Sequence, residues 1–358
     1  MSQSGTSRRA ALGLSGLAAV SAVAGGSAEA VATEKLDLSA DTLITLGTTA
    51  GPPVERGRVG IGSALVTGGR AYVVDCGRGT VAQYVESGLT FADLGAIFLT
   101  HLHADHIADF YDYFLCAGWL TNVPGAPGDG PFPPKPTHRV PVHGPGRAGG
   151  LPPSRVGVPP SHVGGHQETP GTVDLTENLH KAFAYSSNVF NRDAGIIDIR
   201  ELAEPHDIRL PHVGADHRNT APPMEPFGVY HDENVRVSAI LVPHYDVFPS
   251  FAFRFDTATG KSVTFSGDTV KSDNVVRLAR GTDLLVHECI FTLNSVYHQR
   301  SHTSAEQVGE VAAAAAAGKV VVSHYDPPGL DDRVWFDAIG KAYRGPAAIA
   351  RDGQRFTL

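Results

Sequence analysis

The chain has 358 residues, 42% of them hydrophobic and 18% charged, with a formal net charge of -8. That length and apolar content can bury a large core, as one big domain or two small ones, and they exclude a disordered or fibrous protein. The negative balance argues against broad electrostatic attraction to nucleic acid or to an anionic membrane, since both reward clustered Lys and Arg.

The first thirty residues read as a targeting segment outside the fold. Arg8 and Arg9 precede a mildly apolar run rich in Ala and Gly over residues 12–24, and Ala28-Glu29-Ala30 is a small-x-small cleavage site. This pattern resembles a twin-arginine export signal, which implies a periplasmic or extracellular location. The run is short and weakly apolar for a stable membrane span, so none is expected once the signal is removed. Three cysteines, Cys76, Cys116 and Cys289, allow at most one disulfide. Cys76 and Cys289 end apolar strands and read as small core residues.

A folded domain is expected over residues 41–358. It opens with strands at 42–46, 64–67 and 71–74 between glycine turns, then a helix at 81–87 and a buried strand at 94–99. That strand runs into residues 100–106, THLHADH, after which Ile107, Phe110, Tyr111 and Phe114 fall at helical spacing. The histidines therefore occupy a strand-to-helix turn. His101, His103, Asp105 and His106 are nitrogen and oxygen donors suited to zinc or another borderline divalent ion. They are too many for one tetrahedral ion that keeps a position open, so the string points to two metals. A lone His-x-His pair in a chain with 17 His would more often be surface decoration; the whole string behind a buried strand is a far more specific signal.

Proline and glycine dominate from about residue 122 to 171, with one short strand at 140–143, and a single helix is expected over 172–189. Residues 124–230 thus read as a long insertion packed over one end of a sheet, either a substrate lid or a surface elaboration. Strands then return at 235–242, 251–255, 262–266, 284–286 and 319–323. Three of them end within a residue or two on His244, Asp268 and His324, as the earlier strand ends on His101. Sites in layered α/β folds are built at such strand ends, because loops converge there while the sheet holds their roots. Thr303-Ser304-Ala305-Glu306 reads as a capping box opening an alanine-rich helix that stops at Gly318.

The pieces LGTTAGPP, VVDCGRGT, THLHADH, PHYDVFPSFAFRF, FSGDT, VHE, SHTSAEQ and VVSHYDPP, in this order, resemble the metallo-β-lactamase superfamily, and within it the branch of ribonuclease Z and related zinc arylsulfatases. The resemblance spans about residues 43–328, with 115–230 matching poorly. It implies an α/β fold, a four-layer αββα sandwich with a long Pro/Gly-rich insertion, and two metal sites at one edge. His101, His103 and His244 would hold one ion, Asp105, His106 and His324 the other, with Asp268 bridging. Two Zn2+ are implied, Mn2+ or Fe being compatible with the same donors, and a bridging hydroxide would be the nucleophile. Asp105 would also orient that hydroxide. Glu288 and His302 match an acid/base pair serving the leaving group; support of the ligands and a place beside a helix cap are their alternative readings.

The first functional reading is a zinc-dependent hydrolase of a phosphodiester or sulfate ester, arylsulfatase-like, acting on a small-molecule ester. Ribonuclease Z-type processing of transfer-RNA 3' ends is the second. Its RNA-gripping arm should be basic, whereas residues 125–230 hold nine Lys and Arg against eleven Asp and Glu, and export would part the protein from its RNA. Nucleic acid is accordingly not the expected partner. An exported lactam or lactone hydrolase is third, and a metal-bearing scaffold without turnover is the non-enzymatic alternative. A homodimer is compatible with each.

Overall fold

The computed structural model describes residues 37–118, 136–152, 163, 169–194 and 197–358, so the segment read as an export signal lies outside the described residues. In chain order the strands are β1 (Thr42–Gly47), β2 (Gly62–Thr67), β3 (Arg70–Val74), β4 (Leu94–Phe98), β5 (Val140–Pro145), β6 (Ala203–Ile208), β7 (Phe227–His231), β8 (Val235–Leu241), β9 (Phe251–Thr257), β10 (Ser262–Phe265), β11 (Leu284–Ile290), β12 (Lys319–Asp326), β13 (Ala347–Ile349) and β14 (Gln354–Thr357). The helices are α1 (Thr80–Glu86), α2 (Ala104–Ile107), α3 (Asp112–Gly118), α4 (Thr172–Ala182), α5 (Ala184–Ala194), α6 (Asp273–Leu278), α7 (Val296–Ser301), α8 (Ala305–Ala315) and α9 (Asp332–Ile339).

The strands form two mixed seven-stranded sheets, ordered β14-β1-β2-β3-β4-β5-β6 and β13-β12-β11-β10-β9-β8-β7. Neighbours from β14 to β3 pair antiparallel and those from β3 to β6 parallel. The second sheet repeats this plan, antiparallel from β7 to β10 and parallel from β10 to β13.

The two-residue period of a strand sorts the first sheet's side chains into two cores. Leu43, Tyr72, Val74, Ala96 and Phe98 pack with Val237, Ala239, Leu241, Phe253 and Phe255 of the second sheet. Ile44, Ala71, Val73 and Ile97, their sequence neighbours, and Leu94, which a register shift sets apart from Ala96, pack instead with Tyr84, Phe110, Tyr113 and Phe114 from the helical layer. On the far side of the second sheet, Val308, Val311 and Ala312 of α8 and Trp335 and Ile339 of α9 are buried. This is the expected αββα sandwich. Burial on both faces is why these strands read as near-continuous apolar runs. Phe98 lies at the middle of the joint, with its ring edge-on to Phe255 at 5.0 Å, and full burial of such a side chain contributes roughly 1.5–3 kcal/mol.

Several local expectations need correction. The described part of 124–230 is not an insertion laid over a sheet: β5 and β6 extend the first sheet beside β4, and β7 forms an edge of the second. The sequence conceals this because β6, AEPHDI, is an edge strand that buries only Ala203 and Ile208 and tolerates Pro205. The single helix expected over 172–189 is two, broken at Phe183, whose ring stacks on Tyr111 at 5.2 Å. The capping box of α8 is Ser304 with Gln307, one residue later than read, because Thr303 turns inward and donates to the Thr269 carbonyl at 2.6 Å. That helix ends at Ala315 and is capped by Ala316 in the left-handed region, two residues before Gly318. Among the described residues no helix is long and apolar enough to cross a membrane, and all three cysteines are free.

Candidate metal centre

Four strand ends bring the expected residues to one edge of the sandwich. His101 follows β4, His244 follows β8 and Asp268 follows β10, each within three residues of the strand. His324 differs: β12 runs on through it to Asp326, and a φ of 50° at His324 turns the chain there. His103 caps α2, which carries Asp105 and His106 on its first turn. Gly267, with φ 58°, seats Asp268; a Cβ at this position would come within 2.4 Å of the Phe251 carbonyl oxygen, so only glycine fits.

The ligand-capable atoms of His101, His103 and His244 lie within 4.8 Å of one another, as do those of Asp105, His106 and His324. Asp268 joins the two groups. Its Oδ1 is 3.5 Å from His106 Nε2, and its Oδ2 is 3.4 Å from His324 Nε2 and 3.9 Å from His244 Nε2. His244 Nε2 and His103 Nδ1 stand 3.3 Å apart, and His324 Nε2 is 3.4 Å from Asp105 Oδ2. All seven residues expected as ligands therefore converge.

Hydrogen bonds from outside the cluster orient the imidazoles. His106 Nδ1 donates to Asp75 Oδ2 at 2.9 Å, and His244 Nδ1 donates to the Ser301 carbonyl at 2.9 Å, so each turns Nε2 inward. Thr100 Oγ1 sits 3.1 Å from His101 Nδ1. Asp75 also accepts from the Thr100 backbone N–H at 2.8 Å, joining β3 to the metal turn. Sequence reasoning passed over Asp75 as a loop residue, although it too follows an apolar strand and could have been found by the same strand-end rule.

Burial holds His101 and His103 below the usual imidazole range and brings His244 down to about 4, so all three are neutral with lone pairs to offer. For Asp105, burial works upward, but the hydrogen bond from His324 and the charge of His106 prevail and bring it down to about 2. Yet the buried atoms His101 Nε2, His106 Nε2, Asp105 Oδ1 and Asp268 Oδ1 have no hydrogen-bond partner among the described residues. Buried polar atoms left this way are costly, and their convergence from two sides is what divalent cations would satisfy. The residues fit a metal centre.

Glu288 lies at the rear of the cluster. Its Oε1 accepts from Thr269 N at 3.0 Å and Thr303 N at 3.3 Å, and it contacts His302 Nδ1 at 3.2 Å. Burial pushes Glu288 up; burial would push His302 down, but the adjoining carboxylate outweighs it and raises His302 to about 9. His302 Nε2 is left as the ring nitrogen available to a ligand. His287 is buried with Nδ1 on the Glu288 carbonyl at 2.7 Å, and His298 contacts Asn294 at 3.0 Å. Of the remaining histidines, His217 borders the cleft beside His103, His143 packs between the sheets, and His162 and His166 lie outside the described residues.

A family model described as "Beta-lactamase superfamily domain" matches residues 179–325, which include His244, Asp268, Glu288, His302 and His324. Ribonuclease Z of Mycobacterium bovis is 28% identical over 323 residues, covering 87% of this chain and 96% of that protein. Ribonuclease Z of Mycolicibacterium gilvum is 30% identical over 305 residues, covering 81% and 87%. Among solved structures, human tRNase Z, short form, superposes with a TM-score of 0.59 at 19% identity, covering 88% of this chain and 99% of that one. A metallo-β-lactamase fold protein of Bacillus subtilis gives 0.58 at 17% identity, covering 88% and 98%.

These relatives overturn the expectation that nucleic acid is not a partner and that the substrate is a small-molecule ester, because the proteins matching nearly end to end are ribonucleases. The error came from counting charge: a net balance of Lys and Arg against Asp and Glu over one segment does not reveal what a single cleft binds. No relative named here carries the arylsulfatase reading. The chain belongs to the metallo-β-lactamase superfamily, with relatives of the ribonuclease Z kind.

Proposed function

We propose that this protein is a metal-dependent phosphodiesterase that cleaves RNA, as the second of the sequence readings had it. The observation that carries it is the pair of ligand triads joined through Asp268, with the Glu288–His302 pair beside them. His101, His103 and His244 would hold one cation and Asp105, His106 and His324 the other, zinc being the best match for so many nitrogen donors. Two bound cations would supply an ionised water near neutral pH and offset charge on a phosphoryl group in transfer. Asp105, acceptor-only at its low pKa, would align that water. His302, charged beside Glu288, would give its Nε2 proton to the sugar oxygen as the phosphorus–oxygen bond breaks.

The substrate class rests on the relatives, and the ordering of RNA over other esters is open to direct measurement. Metal-loaded protein would be offered a transfer-RNA precursor with a 3' extension, an unstructured RNA, the matching DNA, a nitrophenyl phosphodiester and a nitrophenyl sulfate. RNA cleavage well above sulfate hydrolysis supports the proposal; hydrolysis of the sulfate alone would sink it. Export remains part of the proposal, supported by Arg8-Arg9 and the Ala28-Glu29-Ala30 site. Such an enzyme would meet RNA outside the cytoplasm, and fractionation of cells with an antibody to the chain tests this.

A further inference from the structure

Two hollows adjoin the metal centre. One of about 510 Å3 includes Gly51, Pro52, Asp105, His302 and His324 in its wall. The other, of about 440 Å3, includes Pro145, Gly146, His217, Tyr245 and Phe248. Both volumes fall within the range of small-ligand sites. His103 and Tyr297 line both, so they form the partition. His103 belongs to the first ligand triad; Tyr297 belongs to none.

Tyr297 is held firmly yet left open. It sits on α7, whose C-terminal end is tied to the site: the Arg300 carbonyl accepts from Tyr245 N at 3.0 Å and the Ser301 carbonyl from His244 Nδ1 at 2.9 Å. Its ring stands edge-on to Tyr245 at 5.8 Å and 6.0 Å from His302, with 48% of the residue exposed. Neither hollow has a Lys or Arg among its described lining residues, while Glu55, Asp105, Asp268 and Asp326 line the first and Asp246 the second. Apart from His302, flanking phosphates meet no cation among these described residues, so affinity for the neighbouring nucleotides comes chiefly from their bases. An aromatic ring fixed at the partition and open to solvent is the group that supplies it, because every nucleobase has a π face.

We infer that Tyr297 is a stacking platform for an unpaired nucleobase next to the scissile phosphodiester, with one nucleotide seated in each hollow. The substrate is then single-stranded at the cut, and its recognition there tolerates any base. This rests on the ribonuclease reading of the same site. The test uses the metal-loaded full chain and a single-stranded RNA whose cut position has been mapped. Two further oligonucleotides carry an abasic residue immediately 5' or 3' of that cut.

Tyr297→Ala raises KM for the intact RNA by roughly 5- to 150-fold, the usual worth of one base–aromatic stack. Tyr297→Phe stays within about 2-fold of wild type, since the ring is kept. One abasic position raises the wild-type KM by a similar factor and has no added effect in Tyr297→Ala. Equal losses in the Phe and Ala variants would assign the effect to the hydroxyl and overturn the stack, as would abasic and Ala effects that multiply independently. Thermal melts of both variants separate these outcomes from misfolding. If wild type cleaves a nitrophenyl ester and no RNA, the ribonuclease reading and the stack fall together; if it cleaves RNA without the coupling, only the stack falls.

Discussion

Asp75 and His106, thirty-one positions apart, meet at 2.9 Å through Oδ2 and Nδ1 with both side chains buried. The carboxylate fixes the imidazole's tautomer and raises its basicity, so a residue outside the donor cluster orients one within it. Asp75→Ala should weaken the affinity of the His106 site about 10- to 100-fold. It should also leave the Thr100 N–H unpaired, at roughly 1–3 kcal/mol of stability. Competition with a chelator and urea melts measure the two separately; unchanged metal affinity would show the contact to be merely structural.

Asp268 is the carboxylate close to both triads, with His106, His324 and His244 all within 3.9 Å of its oxygens, so its removal should affect both ion positions. Asp268→Ala is expected to reduce bound metal from two ions to one or none and turnover by more than about 100-fold. His103→Ala should likewise abolish turnover. Metal content by elemental analysis and initial rates on one substrate decide the matter, and full activity in either variant would end the two-metal mechanism.

Gly267 supports the same aspartate through its backbone. With φ at 58° and the Phe251 carbonyl within 2.4 Å of a would-be Cβ, Gly267→Ala should cost about 1–3 kcal/mol and shift Asp268. Reduced stability together with reduced metal content is the expected pair of results.

Under the proposed mechanism the Glu288–His302 contact sets a pH limit on activity. His302, raised to about 9, is protonated below that value, so the rate should fall as pH climbs through it. Glu288→Gln removes the negative charge that outweighs burial and should move this alkaline limb toward neutral pH. Superimposable pH–rate profiles would assign His302 a supporting role only.

Outside the donor cluster, His143 stacks between Phe98 at 5.5 Å and His206 at 4.8 Å. Burial, with the charge of His206 second, brings it down to about 4, below the imidazole value of 6.5. The unfolded chain therefore takes up its proton first, and stability present at neutral pH is lost as pH falls from 6.5 to 4, by roughly 2–3 kcal/mol. His143→Phe should lose less stability than wild type over that window in thermal melts.

What could be read from the chain was whatever is carried by neighbours in sequence. The THLHADH string places four donors on one turn by spacing alone, and apolar runs ending on His244, Asp268 and His324 mark strand ends. Double burial made the inner strands legible, since both faces demand apolar side chains. Tertiary structure decided the rest. Whether β5, β6 and β7 were insertion or sheet depended on pairing with strands elsewhere in the chain, and β6 and β7, as edge strands, carry little apolar pattern. The link from Asp75 to His106 and the place of Tyr297 between two hollows depend on elements far apart in the chain. Periodicity records which face of an element is buried; it does not record what that face is buried against, and that second fact is where this site's orientation and its substrate are set.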